Sequence, residues 1–209
     1  MKNILILFAL ITCGVCLAQN DEAYVDSLVS EKFAELESQQ NKEYFSRKDY
    51  CKGKVMIFTL PNGEVCTSRT TYYAVYVFWR ESENTYKLQK FDNCGSFRPL
   101  TIERNSHFKN LLSKVEILKS EVVKPFKAEN IEDHPTGNMT VKSCHKEFKF
   151  ALNGDKFEKK YDEFDLEKES TYRNLNAEYN NSLNLVKLSN HISEIVDKHE
   201  ESGNFYRER

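Results

Sequence analysis

The chain has 209 residues, with 30 basic and 32 acidic side chains and a net charge of −2. That near balance leaves no electrostatic footprint for nucleic acid or for an anionic membrane. The 14 Phe and 11 Tyr argue against a disordered chain, and the scarcity of glycine and proline (7 and 4) argues against a loop-rich scaffold.

Met1-Lys2-Asn3 makes a short positive start, and an uncharged apolar run follows from Ile4 to Ala18. The run is shorter than the roughly 20 residues a spanning helix needs. With Lys2 ahead of it and a small residue at its end, it fits a secretory signal. Cys16 and Ala18 stand at −3 and −1 for a cut before Gln19, and a cut after Gln19 fits almost as well. The expected mature protein is residues 20–209, secreted or periplasmic, without a membrane span. Lipidation at Cys13 or Cys16 would need a small residue just before the cysteine, and Thr12 and Val15 are poor in that place. Cys13-Gly14-Val15-Cys16 spells a redox-type spacing, but it lies in the segment expected to be removed. Lys2 is the only charge in that segment, so the rest carries 29 basic and 32 acidic side chains, net −3.

Asp21 to about Phe45 reads as a helix, with Val25, Leu28, Val29, Phe33 and Leu36 at helical spacing and Asp21 as a cap. Strands follow. Lys54–Leu60 stops at Pro61-Asn62-Gly63, a turn signal. Thr70–Arg80 is apolar on both faces, as a covered central strand is. Thr85–Phe91 returns after the turn at Glu81–Asn84, and Phe97–Ile102 forms an edge broken by Pro99. Ser106 caps a helix that ends before Pro125. The polar stretch 126–139 is a surface loop and the place where the chain would divide if it held two units. Val141–Leu152 and Asp155–Phe164 flank Asn153-Gly154, the strongest short hairpin signal. A last helix spans Leu183–Glu200, and the polar tail after it is expected to fray. Strands grouped together predict an α+β fold: an antiparallel sheet, made of a meander plus a second hairpin, packed with about three helices in one domain.

Cys51, Cys66, Cys94 and Cys144 remain after cleavage. An even number in an exported chain predicts two disulfides, with three pairings open. No two lie closer than fifteen residues, so the close ligand pairs of a structural zinc site are missing. No metal or cofactor is expected.

Cys144-His145 would be the first pair to consider for nucleophilic chemistry. Neighbours on a strand point to opposite faces, however, which separates them. His191 and His199 lie about 12 Å apart along one helix, too far for one ion. His107 and His134 belong to no ligand pattern. Carboxylates such as Glu132, Asp133, Asp162, Glu163 and Asp165 lie among lysines and read as solvated surface. The aromatic strand Tyr72–Trp79 is expected mainly to fill the core, with Tyr73 and Trp79 as the candidate binding surface for a protein or glycan. Asn138 and Asn180 begin glycosylation sequons. The function expected is an exported, disulfide-braced binding or structural module. The alternatives are a hydrolase with a dispersed site, or an inhibitor of extracellular enzymes acting through the Pro61-Asn62-Gly63 tip.

Overall fold

The computed structural model describes residues 21–60, 62–103, 106–129, 143–170 and 172–208. The apolar N-terminal segment read as a secretory signal, His134, the Asn138 sequon and most of the 126–139 loop lie outside them.

Helix α1 (Glu22–Ser38) begins where expected, with the Asp21 carboxylate accepting the Tyr24 amide at 3.0 Å. It ends seven residues before Phe45. Gln40 takes a left-handed conformation (φ 58°), the place where a helix stop usually shows a glycine. Asn41 then accepts the Glu43 amide and donates to the Arg80 carbonyl. This starts strand β1 (Glu43–Cys51).

The remaining strands are β2 (Ile57–Thr59), β3 (Val65–Thr67), β4 (Tyr73–Arg80), β5 (Thr85–Asp92), β6 (Gly95–Ser96), β7 (Leu100–Glu103), β8 (Cys144–Leu152) and β9 (Asp155–Asp162). The expected single helix after Ser106 is two short ones, α2 (Ser106–Leu112) and α3 (Val115–Ser120). A short helix α4 (Ala177–Ser182) precedes α5 (Asn184–Glu201). Asn153 and Gly154 both have positive φ, 55° and 93°, as the tight β8–β9 turn requires.

Seven strands form one antiparallel sheet in the order β6-β5-β4-β1-β8-β9, with β7 also on β5; β2 and β3 pair separately. The C-terminal hairpin thus joins the first meander, with β1 in the middle and nine of its residues in register with β8. The fold is α+β, as expected.

Both faces of the sheet are covered. On one, Val75, Val77, Trp79 and Phe91 pack under Val25, Val29 and Leu36 of α1. On the other, Phe45, Phe78, Leu88, Phe148 and Phe150 pack under Leu188, Ile192 and Val196 of α5 and under Phe108 and Leu118. Phe45 and Phe78 stack at 4.9 Å across β1 and β4.

β1 buries cations on both faces. Arg47, 1 % exposed, donates to the Ser189 carbonyl, the Ser193 hydroxyl and Asp49. Lys48 reaches Glu22 and Asp26 of α1 at 2.6 and 2.9 Å. Burial pushes the Lys48 ammonium down, but these two carboxylates outweigh it and the net shift is upward.

The tail does not fray. Arg98 and Glu208 amides donate to the Tyr206 and Ser96 carbonyls, and Arg207 bridges to Phe97 beside the sheet edge. Asn180, whose sequon made it a glycosylation candidate, is fully buried. Its side chain is bonded to the Lys124 amide and to the Lys124 and Asp165 carbonyls. No helix among the described residues is long and apolar enough to cross a membrane.

Candidate functional site

The four cysteines form two disulfides, Cys51–Cys144 and Cys66–Cys94, which suits an oxidising compartment. The first joins residues directly opposite on β1 and β8. Cys144 is thereby removed as a nucleophile, and His145 points to the other face of the sheet.

There His145 belongs to a rung that crosses four strands. Tyr73 of β4 lies opposite Tyr50 of β1, Tyr50 opposite His145 of β8, and His145 opposite Asp162 of β9. The Tyr50 ring contacts Tyr73 at 5.2 Å and His145 at 4.9 Å, and its hydroxyl donates to Glu147 at 2.9 Å. Burial, then the Glu147 carboxylate, holds the Tyr50 phenol well above its ordinary value. Ser143 completes the group, its Oγ 2.6 Å from His145 Nε2 and 2.5 Å from Asp162 Oδ2.

Ser143, His145 and Asp162 have the residue types of a hydrolytic triad but the opposite donor order. The serine has one proton. An ionised Asp162 can only accept, so that proton goes to Asp162 and His145 Nε2 must donate to Oγ. A nucleophilic serine needs the reverse, with the imidazole accepting. His145 Nδ1 lies 3.7 Å from Asp162, beyond hydrogen-bond reach. The rung is a closed polar network rather than an activated nucleophile.

His191 and His199 are held by packing and hydrogen bonds on the last helix, and the His107 and His134 side chains lie outside the described residues. His191 is 3.1 Å from Glu194 and packs on Phe108. His199 contacts Asn204 and Phe205, and burial, then Lys198, lowers its pKa. Among the described residues, no three His, Cys, Asp or Glu side chains are grouped to hold a metal ion.

Trp79 is 9 % exposed beneath α1, with the Lys32 ammonium 4.3 Å over its ring, and presents no free face for stacking. Tyr73 is half-buried, with Lys48 over its ring at 5.0 Å. Exposed apolar surface lies instead on the β2–β3 hairpin. Ile57 and Val65 are 69 and 68 % exposed on its outer face, with Val55 exposed just before β2.

The inner face of this hairpin is fastened. Phe58 packs on Tyr72 at 5.4 Å, and the Arg207 guanidinium covers it at 5.1 Å. Cys66 is bonded to Cys94 at the end of the β5–β6 turn. The fully buried Ser68 closes the base by accepting the Met56 amide at 2.9 Å.

Sequence reasoning singled out Cys66 and Cys94 but not the outer face of the hairpin, because one exposed β-branched residue in each of two three-residue strands gives no periodic signal. Tyr50 and Ser143 were also missed, and Asp162 had been read as solvated surface; Tyr50 lies in the stretch between the expected helix and Lys54, to which no strand was assigned. The chain matches no protein-family model, no curated protein and no solved structure.

Proposed function

We propose that the protein is an exported, non-catalytic module that binds another protein through the β2–β3 hairpin. One observation carries this reading: branched apolar side chains face solvent on a hairpin whose other face is held rigid by a disulfide. Ile57 and Val65 leave most of their apolar surface in water, and rigid apolar surface is what a partner can cover at low ordering cost. Among the described residues β2 and β3 pair with no other strand, so an extended partner segment can add to either edge. The reversed donor order at Ser143 supports a binding role over a hydrolytic one.

The test is a double variant, Ile57→Ser with Val65→Ser, compared with wild type for proteins retained from the exported fraction of the producing organism. A partner held by wild type and released by the variant, at equal thermal stability, supports the reading. Retention of the same partners by the variant refutes it. Concentration-dependent dimerisation lost in the variant would make a second copy the partner. An inhibitor would use the same hairpin, so a protease panel separates that case. If no protease is slowed and the chain is cut at the hairpin tip, inhibition is ruled out.

A further inference from the structure

After α5 the chain turns at Gly203, which stands in open space, and lays residues 204–208 along the outer edge of β6. The Arg98 amide donates to the Tyr206 carbonyl and the Glu208 amide to the Ser96 carbonyl, as in a strand added to a sheet edge. The segment lies on the surface. Tyr206 is 63 % exposed, Glu208 is exposed and Phe205 is only partly buried. Its anchor is Arg207, whose guanidinium donates to both oxygens of Asp92 at 2.8 and 2.7 Å. The guanidinium also lies 4.3 Å from the Phe97 ring centre and 5.1 Å from that of Phe58, within the roughly 6 Å over which a cation is drawn to an aromatic face.

The body of the protein builds this socket by itself. Asp92 is wholly buried and accepts the Cys94 amide and the Tyr72 hydroxyl, which aim its carboxylate. Phe58 packs on Tyr72. Phe97 is held from both sides of its backbone: its amide donates to the Lys90 carbonyl, and its carbonyl accepts the Gln89 side-chain amide. The Cys66–Cys94 disulfide ties the hairpin to the turn beside Asp92. A desolvated carboxylate beside two rings selects a planar, bidentate guanidinium over an ammonium, which is a strongly hydrated point charge. The edge bonds, by contrast, go to the backbone and read no sequence.

We propose that this edge is a binding site for an extended, arginine-bearing segment of another protein, and that the tail closes it in the free chain as an internal ligand. The arginine enters the Asp92 socket, and the backbone around it pairs with Ser96 and Arg98. The seated tail shows the shape and chemistry of the occupant: one arginine on an extended backbone, with an aromatic neighbour such as Phe205 resting on Phe97 and Tyr76. The site uses β6 and the inner face of the hairpin, apart from Ile57 and Val65, so it does not depend on the reading above.

The probe is a synthetic peptide with the sequence of residues 204–208 and blocked ends. A short tethered segment competes at an effective concentration on the order of millimolar, so the peptide should displace the tail of the full chain at low millimolar concentration. Hydrogen exchange at the Glu208 amide, which the seated tail shields through its bond to Ser96, should then rise saturably. The same peptide with lysine for its arginine should act about tenfold more weakly, as for loss of a hydrogen bond to a charged group. In Arg207→Met the tail has lost its anchor, and labelled peptide should bind about tenfold more tightly than to wild type by fluorescence anisotropy. Adding Asp92→Asn should remove that gain. Arg207→Lys keeps a charge for Asp92 and takes the place of Arg207→Met should the latter fail to fold. No saturable exchange at millimolar peptide, equal action of the lysine peptide, or equal affinity for wild type and variant would overturn the assignment. Self-association of the wild type that is lost in the Arg207 variant would also overturn it, by making a second copy the occupant.

Discussion

Arg207, in the polar tail, donates to both carboxylate oxygens of Asp92 at 2.8 and 2.7 Å, and Asp92 is wholly buried. Asp92 also accepts the Cys94 amide and the Tyr72 hydroxyl, so the pair joins the tail to the end of β5 and the base of the hairpin. Removing one partner of a buried pair leaves an uncompensated charge. Arg207→Met should cost about 3–5 kcal/mol in urea unfolding. Adding Asp92→Asn should restore part of the loss, because the residual charge is then gone. A loss below about 1 kcal/mol, the range of surface pairs, would show the tail to be dispensable.

The two disulfides should differ in what they stabilise. Cys51–Cys144 spans 93 residues and Cys66–Cys94 spans 28. Loop-closure entropy predicts losses of about 4.6 and about 3.6 kcal/mol respectively when each pair is changed to serine. The β1–β8 ladder survives loss of the first, so it should lower stability without a new cleavage site. Loss of the second frees the hairpin, and limited proteolysis should then cut between β2 and β3 well below the unfolding temperature. Equal protease resistance in the two variants would show that the disulfide does not hold the hairpin.

Much of this fold was legible in the sequence. β4, β5 and the Asn153-Gly154 hairpin follow the apolar alternation and turn chemistry that defines them. β1, the central strand, was not legible, for two physical reasons. Gln40 fills a left-handed cap without being glycine, so the helix showed no stop. Arg47, Lys48 and Asp49 then interrupt any apolar pattern that would mark a strand. Their burial becomes acceptable only through Ser189 and Ser193 from α5 and Glu22 and Asp26 from α1, partners remote in sequence. The tail was misread for the same reason, since its ordering depends on Asp92. Of the site, the cysteines were legible by count. The hairpin face and the Asp92 socket arise from tertiary placement, which no local pattern encodes.

Asp165 illustrates a charge that the fold holds against its preference. Burial pushes its pKa above the ordinary 3.8, and the Phe126 amide, which it accepts at 2.7 Å, only partly counters that. The folded state binds the proton more tightly than the unfolded chain, so ionisation above pH 3.8 costs stability. Asp165→Asn keeps an acceptor for Phe126 and cannot ionise. It should raise the melting temperature at pH 7, with the gain vanishing as pH falls below 3.8. Melting curves of both proteins across pH 3–7 check this, and a variant less stable than wild type at pH 7 would contradict it.

The buried tyrosines set the alkaline limit of the fold. Burial, then Asp92, raises the Tyr72 phenol, and burial, then Asp49 and Glu200, raises Tyr76. Burial pushes Tyr161 up to about 12, with Ser189 and Arg47 acting against it. An unfolded tyrosine ionises near 10.0, so above that pH the unfolded chain releases protons that the folded chain retains. Stability must then fall with rising pH, by about 1.4 kcal/mol per unit for each such tyrosine until its folded value is reached. Three groups acting together amount to about 8 kcal/mol two units above that pH, comparable to the whole stability of an ordinary domain. Tyrosinate absorbance and far-ultraviolet circular dichroism, followed together through alkaline titration, should change in one cooperative step for these side chains. Phe58 packs on Tyr72, and Arg207 holds Asp92, which accepts the Tyr72 hydroxyl. Arg207→Met should therefore move that step to lower pH, which ties the alkaline limit to the same tail contact that holds Asp92.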